Sequence, residues 1–370
     1  MSAIYIHIPF CKTRCTYCDF HSGTNFSLKK EYIEALKKEI SLRKNYLKNQ
    51  CIKTIYFGGG TPSLLEFEDL KSIFEALNQN FDLKNCEEIT LECNPDDLSE
   101  HYIQQLKNLP INRLSIGIQS FNNNELKFIN RRHSAKQAEE AVKCCQQNGF
   151  SNISIDLIFG LPFQTPESFE YNLDKALELN IQHISVYGLT FENGTKIELQ
   201  RQRKLFNEID EETSILMYQT AIKKLTYNGF EHYEISNFAK PGRRSKHNSS
   251  YWNGTHYLGL GSGAHSFNGT SRQWNVCNTK HYISLCNYFE IEHLSQEDIY
   301  NELVITNLRK KEGISLDLIS KKFGDNIYNH CKKTAQYFLE NQLLEEKNNH
   351  LKLTQKGILL SDSIIQDLMI

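Results

Sequence analysis

An α/β fold, built from βα units that lay parallel strands side by side and followed by a smaller helical domain, is what this chain of 370 residues predicts. Three observations carry the prediction. Between residues 3 and 235, apolar runs of strand length alternate with segments of helical periodicity. Several of those segments stop at a glycine where a helix should end, notably Gly149 and Gly229, each followed by phenylalanine. The length exceeds that of a usual single domain unless one domain is a barrel, so one large and one smaller domain are expected.

Taken in order, the expected strands are residues 3–8, 54–57, 88–92, 113–118, 152–159 and 183–187. The amphipathic segments between and after them are 28–47, 66–80, 99–109, 135–148, 166–179 and 211–228. Residues 1–235 form the first unit. Over 236–294 the composition turns to glycine, asparagine, serine and aromatics, which reads as a loop-rich junction and lid folded over the barrel opening. Residues 295–370 read as a small helical unit ending in a hairpin, because 343–353 places two apolar runs around the polar turn Asn348-Asn349. Helix, helix, helix and wing is a winged-helix outline. Such a unit binds DNA in other proteins, but a formal charge of -2 argues for a lid or docking surface instead.

Composition bounds the function. Eleven cysteines without a secretory signal point to a reducing compartment, and a cytoplasmic protein is expected. With 39% hydrophobic residues, no window approaches the roughly 20 consecutive apolar residues of a membrane helix, which leaves surface association open. The basic clusters Arg131-Arg132-His133 and Arg243-Arg244-Ser245-Lys246-His247 are short, so nucleic acid as the main partner has no electrostatic support. Each reads as a solvated face or a local anion contact.

The chemistry concentrates after the first strand. Cys11, Cys15 and Cys18 place three thiols on one short loop, where thiolates suit zinc or an iron-sulfur cluster. Three ligands rather than four suggest a cluster with one coordination position open to chemistry. A closed zinc knot with His7 or His21 as fourth ligand, or three packed thiols, are the alternatives. In parallel barrels the functional side chains sit at the C-terminal ends of the strands. There the later strands carry Gly58-Gly59-Gly60-Thr61-Pro62, Glu92 followed by Asn94-Pro95, Gln119-Ser120-Phe121, and Asp156 within an apolar run. The triple glycine reads either as a tight turn or as bare backbone whose N–H and C=O groups meet a small ligand. An ionisable group in a buried strand needs a partner or a ligand. Arg131 fits an anion clamp or a surface charge.

These residues resemble a known family. Tyr5-Ile6-His7-Ile8-Pro9-Phe10-Cys11, the CxxxCxxC run, the GGGTP segment, Ile116-Gly117-Ile118-Gln119-Ser120-Phe121 and Ile155-Asp156-Leu157-Ile158-Phe159-Gly160-Leu161-Pro162 together resemble the radical S-adenosylmethionine enzymes. The subgroup is that of oxygen-independent coproporphyrinogen III oxidase and the HemW-type heme chaperones. The resemblance implies a partial (β/α)6 barrel with a [4Fe-4S] cluster on Cys11, Cys15 and Cys18. S-adenosylmethionine would chelate the fourth iron and be cleaved reductively to methionine and a 5'-deoxyadenosyl radical. It also implies that Tyr5 lies beside that cofactor, Tyr17 between the cluster ligands, Gly59, Gly60 and Thr61 at its amino acid part, and Glu92 at its ribose. Gln119, Arg131 and Asp156 match positions that hold a second S-adenosylmethionine in the oxidase.

The departures favour the chaperone subgroup. Where the oxidase motif continues to a further cysteine, this chain has Phe20, and only four residues precede Tyr5 where the oxidase has a longer arm. The resemblance then implies heme as cargo and acceptor proteins such as respiratory cytochromes as partners, and leaves open a monomer or a cluster-dependent dimer. His247-Asn248-Ser249-Ser250-Tyr251-Trp252, followed by Gly263-Ala264-His265-Ser266-Phe267, also resembles the chaperones. Heme needs an axial ligand and flat apolar walls, which His247 beside Tyr251 and Trp252 can supply, with His265 as a competitor. The alternative is a hydrogen-bonded histidine in a junction that welds two domains.

Overall fold

The computed structural model describes residues 2–48 and 51–370. Its first part alternates strand and helix: β1 (Ser2–Ile8), α1 (Lys29–Leu42), β2 (Ile52–Gly59), α2 (Phe67–Asn80), β3 (Glu88–Cys93), α3 (Glu100–Leu106), β4 (Arg113–Gln119), α4 (Asn123–Phe128), α5 (Ala135–Gln147), β5 (Ile153–Phe159), α6 (Pro166–Glu178) and β6 (His183–Gly188). The strands β1 to β6 pair in sequence order and all in parallel, as right-handed βα units require. Each expected strand lies within one or two residues of an observed one.

Helix starts follow local chemistry. Ser134 and Thr165 form capping boxes with Gln137 and Ser168 at the heads of α5 and α6, where Pro166 takes the first turn. Helix α1 stops at Leu42, short of the expected 47, because Arg43 turns inward. Its guanidinium meets Gln273 Oε1 at 2.6 Å and the Gly259 carbonyl at 3.3 Å, contacts that continued helix would not allow.

The chain continues through α7 (Lys196–Gln202), α8 (Glu211–Tyr227), β7 (Glu231–Glu234), β8 (Asn237–Ala239), α9 (Lys246–Trp252), β9 (His256–Leu260), β10 (His265–Phe267), β11 (Ser271–Asn275), α10 (Thr279–Ser284) and β12 (Phe289–His293). Residues 236–294 are therefore not loop-rich. Strand β9 lies parallel against β1, β10 to β12 extend the sheet antiparallel beyond it, and β8 and β7 extend the other edge from β6. Among the described residues this makes one open 12-stranded sheet in the order β12-β11-β10-β9-β1-β2-β3-β4-β5-β6-β8-β7. Its glycines permit close backbone approach: a Cβ on Gly259 would collide with the His265 backbone.

The last part holds α11 (Gln296–Leu308), β13 (Ile314–Ser315), α12 (Leu316–Glu340), β14 (Leu344–Lys347), β15 (His350–Leu353) and α13 (Ser361–Leu368). Gly324, at φ 80°, breaks α12 into two helices. Asn348 and Asn349, both at positive φ, turn the β14–β15 hairpin as a two-residue loop of this twist requires. Tyr300, Leu316, Ile319, Phe338, Leu351 and Ile364 close a second core separate from that of the sheet. This is the winged-helix outline expected from the sequence. All eleven cysteines are free thiols, and no described helix is long and apolar enough to cross a membrane. The basic clusters are largely neutralised inside the protein, Arg132 by Asp96 and Arg244 by Glu231 and Glu312.

Candidate functional site

The alternation of side chains in β1 to β6 sends one set into the helices and the other into the hollow of the sheet. The outer set is apolar. The inner set is polar: Thr54 and Tyr56 on β2, Thr90 and Glu92 on β3, Arg113 and Ser115 on β4, Ser154 and Asp156 on β5. The cysteine loop and the glycine turn close the rim above them.

The loop is pinned at three places. Its base closes as Cys11 N donates to Gly23 O (2.9 Å) and Gly23 N to Pro9 O (2.8 Å). Thr16 N donates to Ile129 O (3.1 Å), and Ile197 N donates to Thr16 O (2.9 Å), which ties the loop to α4 and α7. Tyr17 packs against Ile129, Ile158 and Leu161. The Thr61 hydroxyl lies 3.4 Å from Cys11 Sγ, and Arg131 Nη1 donates to Cys15 Sγ at 3.4 Å. Burial raises the thiol pKa of Cys11, and pushes that of Cys18 up to about 11, with Cys15 and Cys11 adding to the rise. The thiols thus sense one another. Among the described residues no three His, Cys, Asp or Glu side chains converge as a finished metal-ligand set, so metal binding would draw the cysteine side chains together.

The histidines that would close a zinc knot are engaged elsewhere. His7 Nε2 bonds to the His21 carbonyl at 2.8 Å and its Nδ1 faces the Tyr5 hydroxyl at 3.1 Å, while His21 Nε2 faces Thr279 Oγ1 at 3.3 Å. Desolvation holds His7 down to about 4. The donor set that remains, three soft thiols and a guanidinium beside one of them, fits an iron-sulfur cluster with a position left open.

The glycine turn is crowded rather than bare. A Cβ on Gly58 would stand 2.9 Å from the Tyr56 ring and 3.0 Å from Tyr5, and one on Gly60 would stand 2.7 Å from Ile8 O. The amides are spent inside the protein: Gly59 N donates to Glu92 Oε2 (3.2 Å), Gly60 N to Ile8 O (2.8 Å) and Thr61 N to Phe10 O (2.8 Å). Small size is what the position requires.

Glu92 also accepts from the Tyr56 hydroxyl at 2.7 Å. Desolvation pushes its carboxyl up to about 7, with the Asp156 charge adding and the Tyr56 and Gly59 hydrogen bonds opposing. Asp156 rises to about 6 for the same first reason, eased by the Ser185 hydroxyl and by Arg113 and Arg131. Burial thus pushes both interior carboxyl groups upward, and each is held by hydrogen bonds or charges of its neighbours. Gln119 sits at φ 71° on a bulge where the β4–β5 register shifts. Arg131 Nη2 reaches Asn94 Oδ1 (2.7 Å) and the Gly117 carbonyl, while its Nε has no partner. Among the residues carried from the sequence, Arg131 therefore joins the cysteine loop to the ends of β3 and β4.

His247 lies on α9, whose first amides dock on the Glu88 carboxylate: Lys246 N and His247 N both donate to it at 2.9 Å. The ring is buried, with Nδ1 2.8 Å from Thr54 Oγ1 and Nε2 2.8 Å from the Tyr251 hydroxyl. It stacks on Tyr56 at 5.0 Å, and desolvation lowers its pKa to about 3. Both nitrogens are occupied, so His247 as found is a junction histidine one layer behind the surface. His265 is exposed, stacked on Trp274.

A cavity of about 980 Å³ opens between the sheet and the C-terminal unit. Tyr5 and Phe20 wall it on the barrel side, Tyr251, Trp252 and His265 on the junction side, and Leu303 and Leu318 on the side of α11 and α12. It is at the upper end of the size range of small-molecule sites. Sequence reasoning missed Tyr56 and Arg113, the latter a fully buried guanidinium with an unpartnered Nε. The signal was present as the two-residue alternation of polar residues along β2 to β5.

Comparison with known proteins gives consistent results. The Radical SAM superfamily matches residues 5–176 and the HemN C-terminal domain matches residues 294–360. A protein of Lactococcus lactis subsp. lactis (strain IL1403), named heme chaperone HemW, is 34% identical over 376 residues, covering 100% of this chain and 97% of that protein. One of the same name from Bacillus subtilis (strain 168) is 35% identical over 371 residues, covering 98% of each. Among solved structures, coproporphyrinogen III oxidase (HemN) from Escherichia coli aligns with a TM-score of 0.86 at 24% identity, over 100% of this chain and 90% of that one, a likeness of fold.

Proposed function

The chain belongs to the heme chaperone HemW family within the radical SAM superfamily, and from that premise we propose that it binds heme in the cavity and passes it to acceptor proteins such as respiratory cytochromes. The observation that carries this reading is the cavity itself. It is wide enough for a tetrapyrrole and walled by Trp252, Tyr257 and Phe267 rings, and both the barrel and the C-terminal unit contribute to it.

Cys11, Cys15 and Cys18 would hold a [4Fe-4S] cluster, with Tyr17 between the ligands. Tyr5, Gly59, Gly60, Thr61 and Glu92 would hold S-adenosylmethionine, and Gln119, Arg131 and Asp156 a second molecule of it. When bound, the cluster supplies one electron for reductive cleavage of the sulfonium. The residues of the chain do the rest. Arg131 donates to Cys15 Sγ and Thr61 to Cys11 Sγ, so two of the three sulfurs already face a hydrogen-bond donor. Glu92, held by Tyr56, offers an acceptor for ribose hydroxyls.

For heme, iron ligation by His247 requires Tyr251 to give up Nε2, and the Tyr251 ring is the part of the wall that would move. His265 already stands in the wall and is the competing ligand. Titration of hemin into the protein tests the reading: saturable 1:1 binding with a shifted Soret band is expected. His247→Ala should abolish that band if His247 ligates, and His265→Ala if the competitor does. Absence of saturable binding would overturn the heme reading.

Phe20 stands at the cavity wall where the oxidase motif has a further cysteine. Conversion of coproporphyrinogen III is therefore not expected. Release of heme to an apo acceptor is the activity to measure.

A further inference from the structure

The cavity wall holds two lysines that its carboxylates do not pair. Lys310 Nζ lines it and donates to Asn253 Oδ1 at 2.9 Å, and Lys322 lines it from α12, four residues after Leu318. Among the described residues neither forms an ion pair with a carboxylate. The Trp252 ring also lines the cavity, while its Nε1 is buried away from it. Arg309 lies over that indole at 5.2 Å, with its own Nε unpartnered. The acids in the wall do not answer these donors: Glu302 is bound by Arg272, and Asp19 sits on the cysteine loop.

A lysine half-buried beside apolar walls and lacking a counter-ion costs free energy unless an anion arrives. Burial accordingly lowers the Lys310 pKa. Leu303 and Leu318 line the cavity beside them and offer apolar contact. A largely apolar wall that carries two ammonium groups without ion pairs matches an apolar ligand that carries two carboxylates.

We infer that Lys310 and Lys322 form a carboxylate-recognition site for the two propionates of the tetrapyrrole, and so fix which edge of the macrocycle enters first. This inference rests on the heme reading above and adds the orientation of the cargo and the residues that select it. It places the propionates against α11 and α12. A movement of the C-terminal unit would then break the charge pairs and the ring contacts together, which ties release to that unit.

The test compares hemin with its dimethyl ester, which keeps the ring and iron and removes both charges. Wild-type protein should bind hemin about tenfold or more tightly than the ester, the factor expected from charge-assisted hydrogen bonds at a partly desolvated site. In Lys310→Ala/Lys322→Ala the preference should fall toward unity while ester affinity and circular dichroism stay unchanged. Equal affinity of the wild type for hemin and ester, or an undiminished preference in the double variant, would overturn the inference and leave heme binding standing. Failure of both ligands to bind the wild type would overturn the heme reading and this inference with it.

Discussion

Glu92→Gln gives the sharpest prediction about the barrel interior. In the apoprotein the Glu92 carboxyl is pushed from its ordinary 4.5 up to about 7, chiefly by desolvation. A raised carboxyl pKa means the folded state holds its proton where the unfolded chain has lost it. Stability from this source is present in full below about pH 4.5 and falls as pH rises toward 7. A change of that size corresponds to about 3 kcal/mol, an upper figure because Glu92 and Asp156 repel each other and share the cost. The glutamine is nearly isosteric: its amide oxygen can accept from Gly59 N and its NH2 can donate to the Tyr56 oxygen. Urea unfolding of apo wild type and variant at pH 5 and pH 8 reads the effect. The wild type should lose about 2–3 kcal/mol more than the variant across that interval. Identical pH profiles would refute the claim that this carboxyl is desolvated. S-adenosylmethionine binding should weaken in the same variant if Glu92 holds the ribose.

Three further outcomes are expected. Gly60→Ala should destabilise the protein by about 1–3 kcal/mol, because the new Cβ would stand 2.7–2.8 Å from the Ile8 and Phe10 carbonyls, which are backbone and cannot step aside; the denaturant midpoint reads it. Arg43→Ala should cost about 3 kcal/mol, since it strips the counter-ion from the fully buried Glu39 and cuts the tie from α1 to Gly259 and Gln273. That loss should deepen as pH rises, because burial already raises the Glu39 pKa and ionisation without Arg43 is dearer still. Tyr251→Phe should speed heme uptake and tighten it if His247 is the iron ligand, because it frees Nε2; stopped-flow absorbance decides, and unchanged uptake would hand the role to His265.

The six parallel strands were legible because each is a short apolar run between helical segments, and fully buried strands announce themselves that way. Strand β9 was not. Gly259 and Gly261 lower the apparent strand propensity of Tyr257–Leu260, yet in the fold bare backbone is what lets β9 pack against the His265 turn and lie beside β1. Helix α9 was hidden for another reason. Its seven residues have no apolar period, and their first amides are satisfied by Glu88, 158 and 159 residues away in sequence. Ser245 also caps Asn248 N locally, but it stands within a basic cluster, and the Glu88 contacts leave no trace in the neighbouring sequence.

The candidate site shows the same division. The cysteine spacing, the glycines and Asp156 stand out in sequence because each is unusual where it occurs. Most of the partners that settle their chemistry come from elsewhere in the chain: Arg131 with Cys15, Tyr56 with Glu92, and Thr54 with His247, whose other partner, Tyr251, lies one turn on along α9. The last pair matters most, since a histidine that reads as a free ligand in sequence has both nitrogens occupied in the fold.

The central claim is that this protein carries heme rather than converting a porphyrinogen. The most direct test loads cluster-reconstituted protein with heme under anaerobic conditions and mixes it with an apo heme acceptor. In parallel, S-adenosylmethionine, reductant and coproporphyrinogen III are supplied to the same preparation. The account predicts acceptor heme appearing faster than from a passive heme carrier at equal concentration, with no porphyrin product. Protoporphyrinogen IX at catalytic yield, with no heme delivered, would contradict it.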